Sequence, residues 1–100
     1  MPNLKISVEH NLNKDEAKER IMNLLANLKN EFKDKVSNVN EIWNEYNSEF
    51  SFRIMGLPVK GNLTVETETI VLDGKLPIAA LPFKRNIESL IRNEAEKLLK

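Results

Sequence analysis

A chain of 100 residues is the size of one domain around one core. Its 41% hydrophobic and 30% charged residues are ordinary for a globular protein, and a formal net charge of zero without a basic stripe argues against nucleic-acid binding. The absence of cysteine excludes disulfides, thiolate catalysis and cysteine zinc sites, and suits a reducing compartment.

Met1 to His10 alternates polar and apolar residues and has no apolar segment of signal-peptide type. No apolar run approaches the ~20 residues that span a bilayer. A cytoplasmic protein without a transmembrane segment is expected. Leu4, Ile6 and Val8 alternate with Lys5, Ser7 and Glu9 as a half-buried strand. Asn13, with Glu16 three residues on, predicts a capped helix start. Ala17, Ile21, Leu24, Leu25, Leu28, Phe32 and Val36 then fall on one face, which predicts one amphipathic helix ending near Ser37-Asn38.

From Val39 the period becomes two. Ile42, Asn44 and Tyr46 should point one way, with Val39, Trp43 and Glu45 opposite. Asn47-Ser48 suits a hairpin turn. Phe50, Phe52 and Ile54 form the next apolar alternation, broken by Gly56-Leu57-Pro58, and Val59, Gly61, Leu63 and Val65 the one after. A turn near Glu66 to Glu68 leads to a last strand with Ile70, Leu72, Leu76 and Ile78 on its apolar side. Pro77 marks where pairing should stop, and Pro82 suits the first turn of a final helix. That helix repeats Phe83, Ile87, Leu90, Ile91, Ala95, Leu98 and Leu99.

Tight connections in succession mean antiparallel neighbours. One apolar and one polar sheet face, with two amphipathic helices to cover the apolar one, predict a two-layer α+β sandwich in the order β-α-β-β-β-β-α. Its five-stranded sheet should be largely antiparallel, with both helices on one face.

Certain short runs resemble a known family. They are Ile6-Ser7-Val8-Glu9-His10-Asn11-Leu12, then Glu16-Ala17-Lys18 with Ile21, Trp43, Gly61-Asn62-Leu63-Thr64-Val65, Pro82-Phe83-Lys84, and Ile87-Glu88 with Ile91. Together they are similar to the small bacterial polyhydroxyalkanoic acid system, or polyhydroxyalkanoate granule-region, family. The resemblance implies a shortened helix-grip domain, a curved sheet around a C-terminal helix, and a link to polyhydroxyalkanoate storage. It implies no reaction, no catalytic residue and no cofactor.

Candidate site residues are few. His10 is the single histidine, a candidate polar site residue that as readily serves as a solvated or capping loop histidine. A metal site would need further ligands, and no second histidine exists. Asp15, Glu16 and Glu19 fit the positive end of a helix dipole better than an acid–base pair. Trp43 is a candidate contact anchor, exposed beside Met55, or a packed residue re-aimed by a bulge. The basic residues of the last helix, Lys84, Arg85, Arg92, Lys97 and Lys100, are diluted by Glu88, Glu94 and Glu96, so core packing outweighs a membrane-surface reading.

A curved sheet gripping a helix can enclose an apolar pocket, here lined by Phe50, Phe52, Leu63, Leu72, Ile87 and Ile91. The preferred function is a non-enzymatic accessory or binding module, and in the context that the resemblance implies its partner is an apolar or acyl ligand, a granule surface or a granule-associated protein. Two alternatives stand beside it. One is a small enzyme using His10 or Glu16 on an acyl substrate. The other is a homo-oligomeric structural protein pairing through a sheet edge. Oligomeric state is not legible in the sequence.

Overall fold

Two periodicities divide the chain, and the folded structure follows that division closely. The structure is a computed structural model that describes residues 2–100. Strand β1 (Asn3–Glu9) is followed by helices α1 (Lys14–Ile21) and α2 (Leu24–Glu31). Strands β2 (Val36–Asn44), β3 (Asn47–Ile54), β4 (Leu57–Val65) and β5 (Thr69–Lys75) come next. A 3-10 helix (Ile78–Phe83) then leads into α3 (Lys84–Leu99). The five strands form one antiparallel sheet in the order β1-β5-β4-β3-β2, so the first strand pairs with the last. The architecture is the expected two-layer α+β sandwich.

The core fills the space between the sheet's inner face and the helices. Leu4, Ile6 and Val8 of β1 meet Ile70, Leu72 and Leu76 from the β5 segment, and the alternation continues through Phe50, Phe52, Val59 and Leu63. Ala17, Ile21, Leu24, Leu25 and Leu28 cover one part of this face, and Ile87, Ile91, Ala95 and Leu99 cover another. A half-polar helix is stable only against such a surface.

Four local features depart from the expected pattern. The first helical stripe is carried by two helices instead of one. The Asn23 backbone N–H bonds the Arg20 carbonyl at 3.2 Å, and its side-chain amide donates to the Glu19 and Arg20 carbonyls at 3.3 Å. These bonds, reaching three and four residues back, interrupt the α-helical ladder. The stripe survives the break, but Val36 belongs to β2 and not to the helix.

In β2 the register shifts between Ser37 and Asn40, where three steps along β2 match two along β3. Asn38, at φ 54°, accommodates the extra residue. Beyond this bulge the faces are the reverse of those expected. Ile42 opposes Glu49 on the outer face and is 72% exposed, whereas Glu41 opposes Phe50 and Trp43 opposes Ser48 on the inner face. The hairpin turn is Glu45-Tyr46, two residues before Asn47-Ser48, because Asn44 pairs with Asn47. The next turn, Met55-Gly56, has both residues at positive φ, as tight hairpins favour.

The last strand ends at Lys75. Pro77 has no N–H to offer, and the following residues coil into the 3-10 helix. Ile78 is therefore not on the sheet's apolar face, Pro82 lies in the 3-10 helix and not in α3, and Phe83 is exposed at the α3 entry instead of buried along it. Finally, Glu94 is buried on the inner side of α3. Asn27 Nδ2 donates to its Oε2 at 3.2 Å, and Lys97 Nζ lies 3.6 Å from its Oε1.

Candidate functional site

His10 follows β1 at a loop that the β4–β5 turn approaches. Its backbone N–H bonds the Glu68 carbonyl at 2.9 Å. Its Nδ1 accepts the Leu12 backbone N–H at 3.2 Å, which assigns the proton to Nε2, and Nε2 donates to the Glu66 carbonyl at 3.0 Å. Both ring nitrogens are thus committed to backbone, and the residue is buried. The geometry joins the α1 approach loop to the β4–β5 turn and leaves no free nitrogen for proton transfer.

Phe50, Phe52, Leu63, Leu72, Ile87 and Ile91 all lie in the core between the sheet and the helices. Each is 4% exposed or less, and all belong to one continuous core with the residues of β1 and α1. The Phe50 and Phe52 rings stack at 6.0 Å between centroids. An open hollow of about 950 Å³ lies elsewhere, on the outer face, with Ile42, Ser51, Lys60, Asn62, Asp73 and Lys75 among its lining.

The bulge in β2 assembles a polar corner on the inner face. Ser48, fully buried, donates from Oγ to Glu41 Oε2 at 2.9 Å. Burial pushes the Glu41 carboxyl above its ordinary value, and the Ser48 hydrogen bond and the nearby Trp43 N–H only partly offset this. The Trp43 N–H acts on the same carboxylate but does not reach hydrogen-bond geometry and stays buried without a partner. Trp43 itself is half-buried against the core, with Lys18 Nζ 5.6 Å from its ring centre. It does not share an outer patch with Met55, which sits in the β3–β4 turn.

At the neighbouring hairpin Lys14 Nζ lies 4.2 Å from the centre of the Tyr46 ring. The Tyr46 hydroxyl donates to Asp15, and that bond holds the phenol above its ordinary pKa. These contacts fasten the start of α1 to the β2–β3 hairpin. Among the described residues no group of three or more histidine, cysteine or acidic side chains is placed to hold a metal ion.

The junction between β5 and α3 has a different character. Ile78 is 73% exposed, Leu81 49% and Phe83 40%, and Ala79 and Pro82 beside them are exposed as well. Ala80 is the one residue of this 3-10 helix that is buried. Exposed apolar residues gathered on one short helix are the kind of feature that marks a contact site. Sequence reasoning assigned Ile78 and Phe83 to the core. The available signal was the apolar run held between Pro77 and Pro82, which can continue neither the strand nor a helix.

A family model described as "putative polyhydroxyalkanoic acid system protein" matches residues 4–99. The chain belongs to this family. No curated protein and no solved structure gives a significant match. The residues that carried the resemblance have visible structural work. Ile6 and Val8 are core positions of β1, His10 ties two loops, and Leu63 and Val65 are core positions of β4. Pro82-Phe83-Lys84 spans the exposed junction into α3. Among the described residues no helix is long and apolar enough to cross a membrane.

Proposed function

We propose that this protein is a non-enzymatic accessory component of a polyhydroxyalkanoate storage system, acting in the cytoplasm at the surface of the polyester inclusion. Family membership across residues 4–99 carries the reading. Two features of the structure support it. The histidine that an acid–base mechanism would use has both nitrogens bonded to backbone. The side chains that would line a pocket for an acyl chain are packed core, so such a ligand would have to displace them. A surface role requires no such rearrangement.

The test is fractionation of polyester-accumulating cells that express the tagged protein. It should sediment with the inclusions when polymer accumulates and remain in the supernatant when polymer synthesis is blocked. Recovery in the supernatant under both conditions overturns the proposal. Titration of the purified protein with a 3-hydroxy fatty acid should leave the amide signals of Phe50, Leu63, Leu72 and Ile91 in place. Saturable shifts confined to those residues would favour the ligand-binding version.

A further inference from the structure

The apolar turn Ile78–Phe83 has a rim of matching chemistry. Lys75 precedes it and Lys84 and Arg85 follow it, all within three residues of its ends. Lys75 also lies directly opposite Lys60 across the β4–β5 ladder, and both side chains are exposed on the outer face. Like charges facing each other across a ladder destabilise a sheet. The acidic residues closest in sequence, Asp73 and Glu88, form no ion pair with these cations, since the ion pairs among the described residues engage Arg20 and Lys97.

Three large apolar side chains on one short turn, with Lys75, Lys84 and Arg85 within three residues of it and Lys60 paired with Lys75, match a surface that is apolar within and negative at its boundary with water. A protein partner fits less well. A stable protein interface buries about 800 Å² on each side around a packed centre, more than one turn of 3-10 helix presents. We infer that the 3-10 helix Ile78–Phe83 is a docking wedge for an anionic lipid layer. Ile78, Leu81 and Phe83 enter the apolar region, and Lys60, Lys75, Lys84 and Arg85 meet the headgroups. The inference rests on the inclusion-surface role proposed above and names the part of the molecule that makes contact. The long axis of α3 stays on the core, because Ile87, Ile91, Ala95 and Leu99 are already buried.

The test is co-sedimentation with phosphatidylcholine vesicles, with and without phosphatidylglycerol. Wild-type protein should sediment with the anionic vesicles, weakly with the neutral ones, and progressively less as salt rises. The double variant Ile78→Ser, Leu81→Ser should bind anionic vesicles at least tenfold more weakly. Lys75→Glu with Arg85→Glu should lose the preference for phosphatidylglycerol. The substituted residues are exposed, so far-UV circular dichroism should match wild type in each case.

Wild-type protein that ignores anionic vesicles, or an Ile78/Leu81 variant that binds as wild type does, overturns the inference. The same variants in the inclusion fractionation separate the two proposals. If wild type and the Ile78/Leu81 variant both sediment with inclusions, the functional reading stands and the wedge is wrong. If wild type sediments with inclusions but not with vesicles, the functional reading stands and the lipid assignment fails.

Discussion

Glu41 is a residue whose charge its surroundings oppose. Desolvation is the leading cause of its raised pKa, and the Ser48 hydroxyl offsets it only in part. A carboxyl with a raised folded pKa makes the folded state bind more protons than the unfolded chain. Its contribution is favourable below the ordinary carboxylate pKa and is lost as pH rises through the folded value. Glu41→Gln removes the charge and keeps an acceptor for Ser48. Its melting temperature should exceed that of wild type at neutral pH, and the difference should vanish as pH falls below the ordinary carboxylate value. Thermal melts at a series of pH values read both limbs.

His10 makes the opposite kind of contribution, through bonds and not charge. His10→Ala leaves the Glu66 carbonyl and the Leu12 N–H without their partner in a part-buried loop. The expected loss is about 1–3 kcal/mol by urea unfolding. Neither the Glu41–Ser48 bond nor the His10 bonds to the β4–β5 turn were legible in the sequence. The partners stand 7 and 56 residues apart, and only sheet register brings them together.

At the scale of elements, alternation identified β1, β3 and β4 well, because each has one buried face and no irregularity. It failed in β2 because a single extra residue exchanges inside for outside along the rest of the strand. Helical spacing placed the stripe from Ala17 to Leu28 correctly but could not show the break at Asn23, where the side chain bonds the carbonyls of the preceding turn.

Gly61 shows how closely two elements approach. A Cβ built there would stand 2.1 Å from the Asp73 carbonyl oxygen and 2.7 Å from the Gly74 Cα. Strand β5 is bonded on its other side to β1 and has no room to retreat. Gly61→Ala should therefore cost toward the upper end of the ~1–3 kcal/mol typical of overpacking, read as a lower urea midpoint. The Gly61 run belongs to the family resemblance, and this backbone approach is a physical reason for a glycine at that position.

Across the whole molecule, one inner face supplies the stability and the opposite regions remain free for contact. Ile87→Ala removes a side chain buried between α3 and the sheet and should cost about 2–5 kcal/mol. Ile78→Ser, on the exposed turn, should change stability by no more than about 0.5 kcal/mol. Equilibrium unfolding of the two variants side by side separates core from surface within a single stretch of ten residues.

The sequence by itself determined the α+β class, the element order, the antiparallel succession from β2 to β5, and the closing role of α3. These follow from short-range periodicity, which each segment carries alone. Its short motifs also pointed to the polyhydroxyalkanoic acid system family. Only the tertiary structure decided that β1 completes the sheet beside β5, that Trp43 faces inward and Ile42 outward, that Glu94 is buried, and that Ile78, Leu81 and Phe83 reach solvent. Each of those depends on which surface a side chain meets. An apolar residue reads the same in sequence whether a sheet covers it or, as at the turn after Pro77, none of the described residues does.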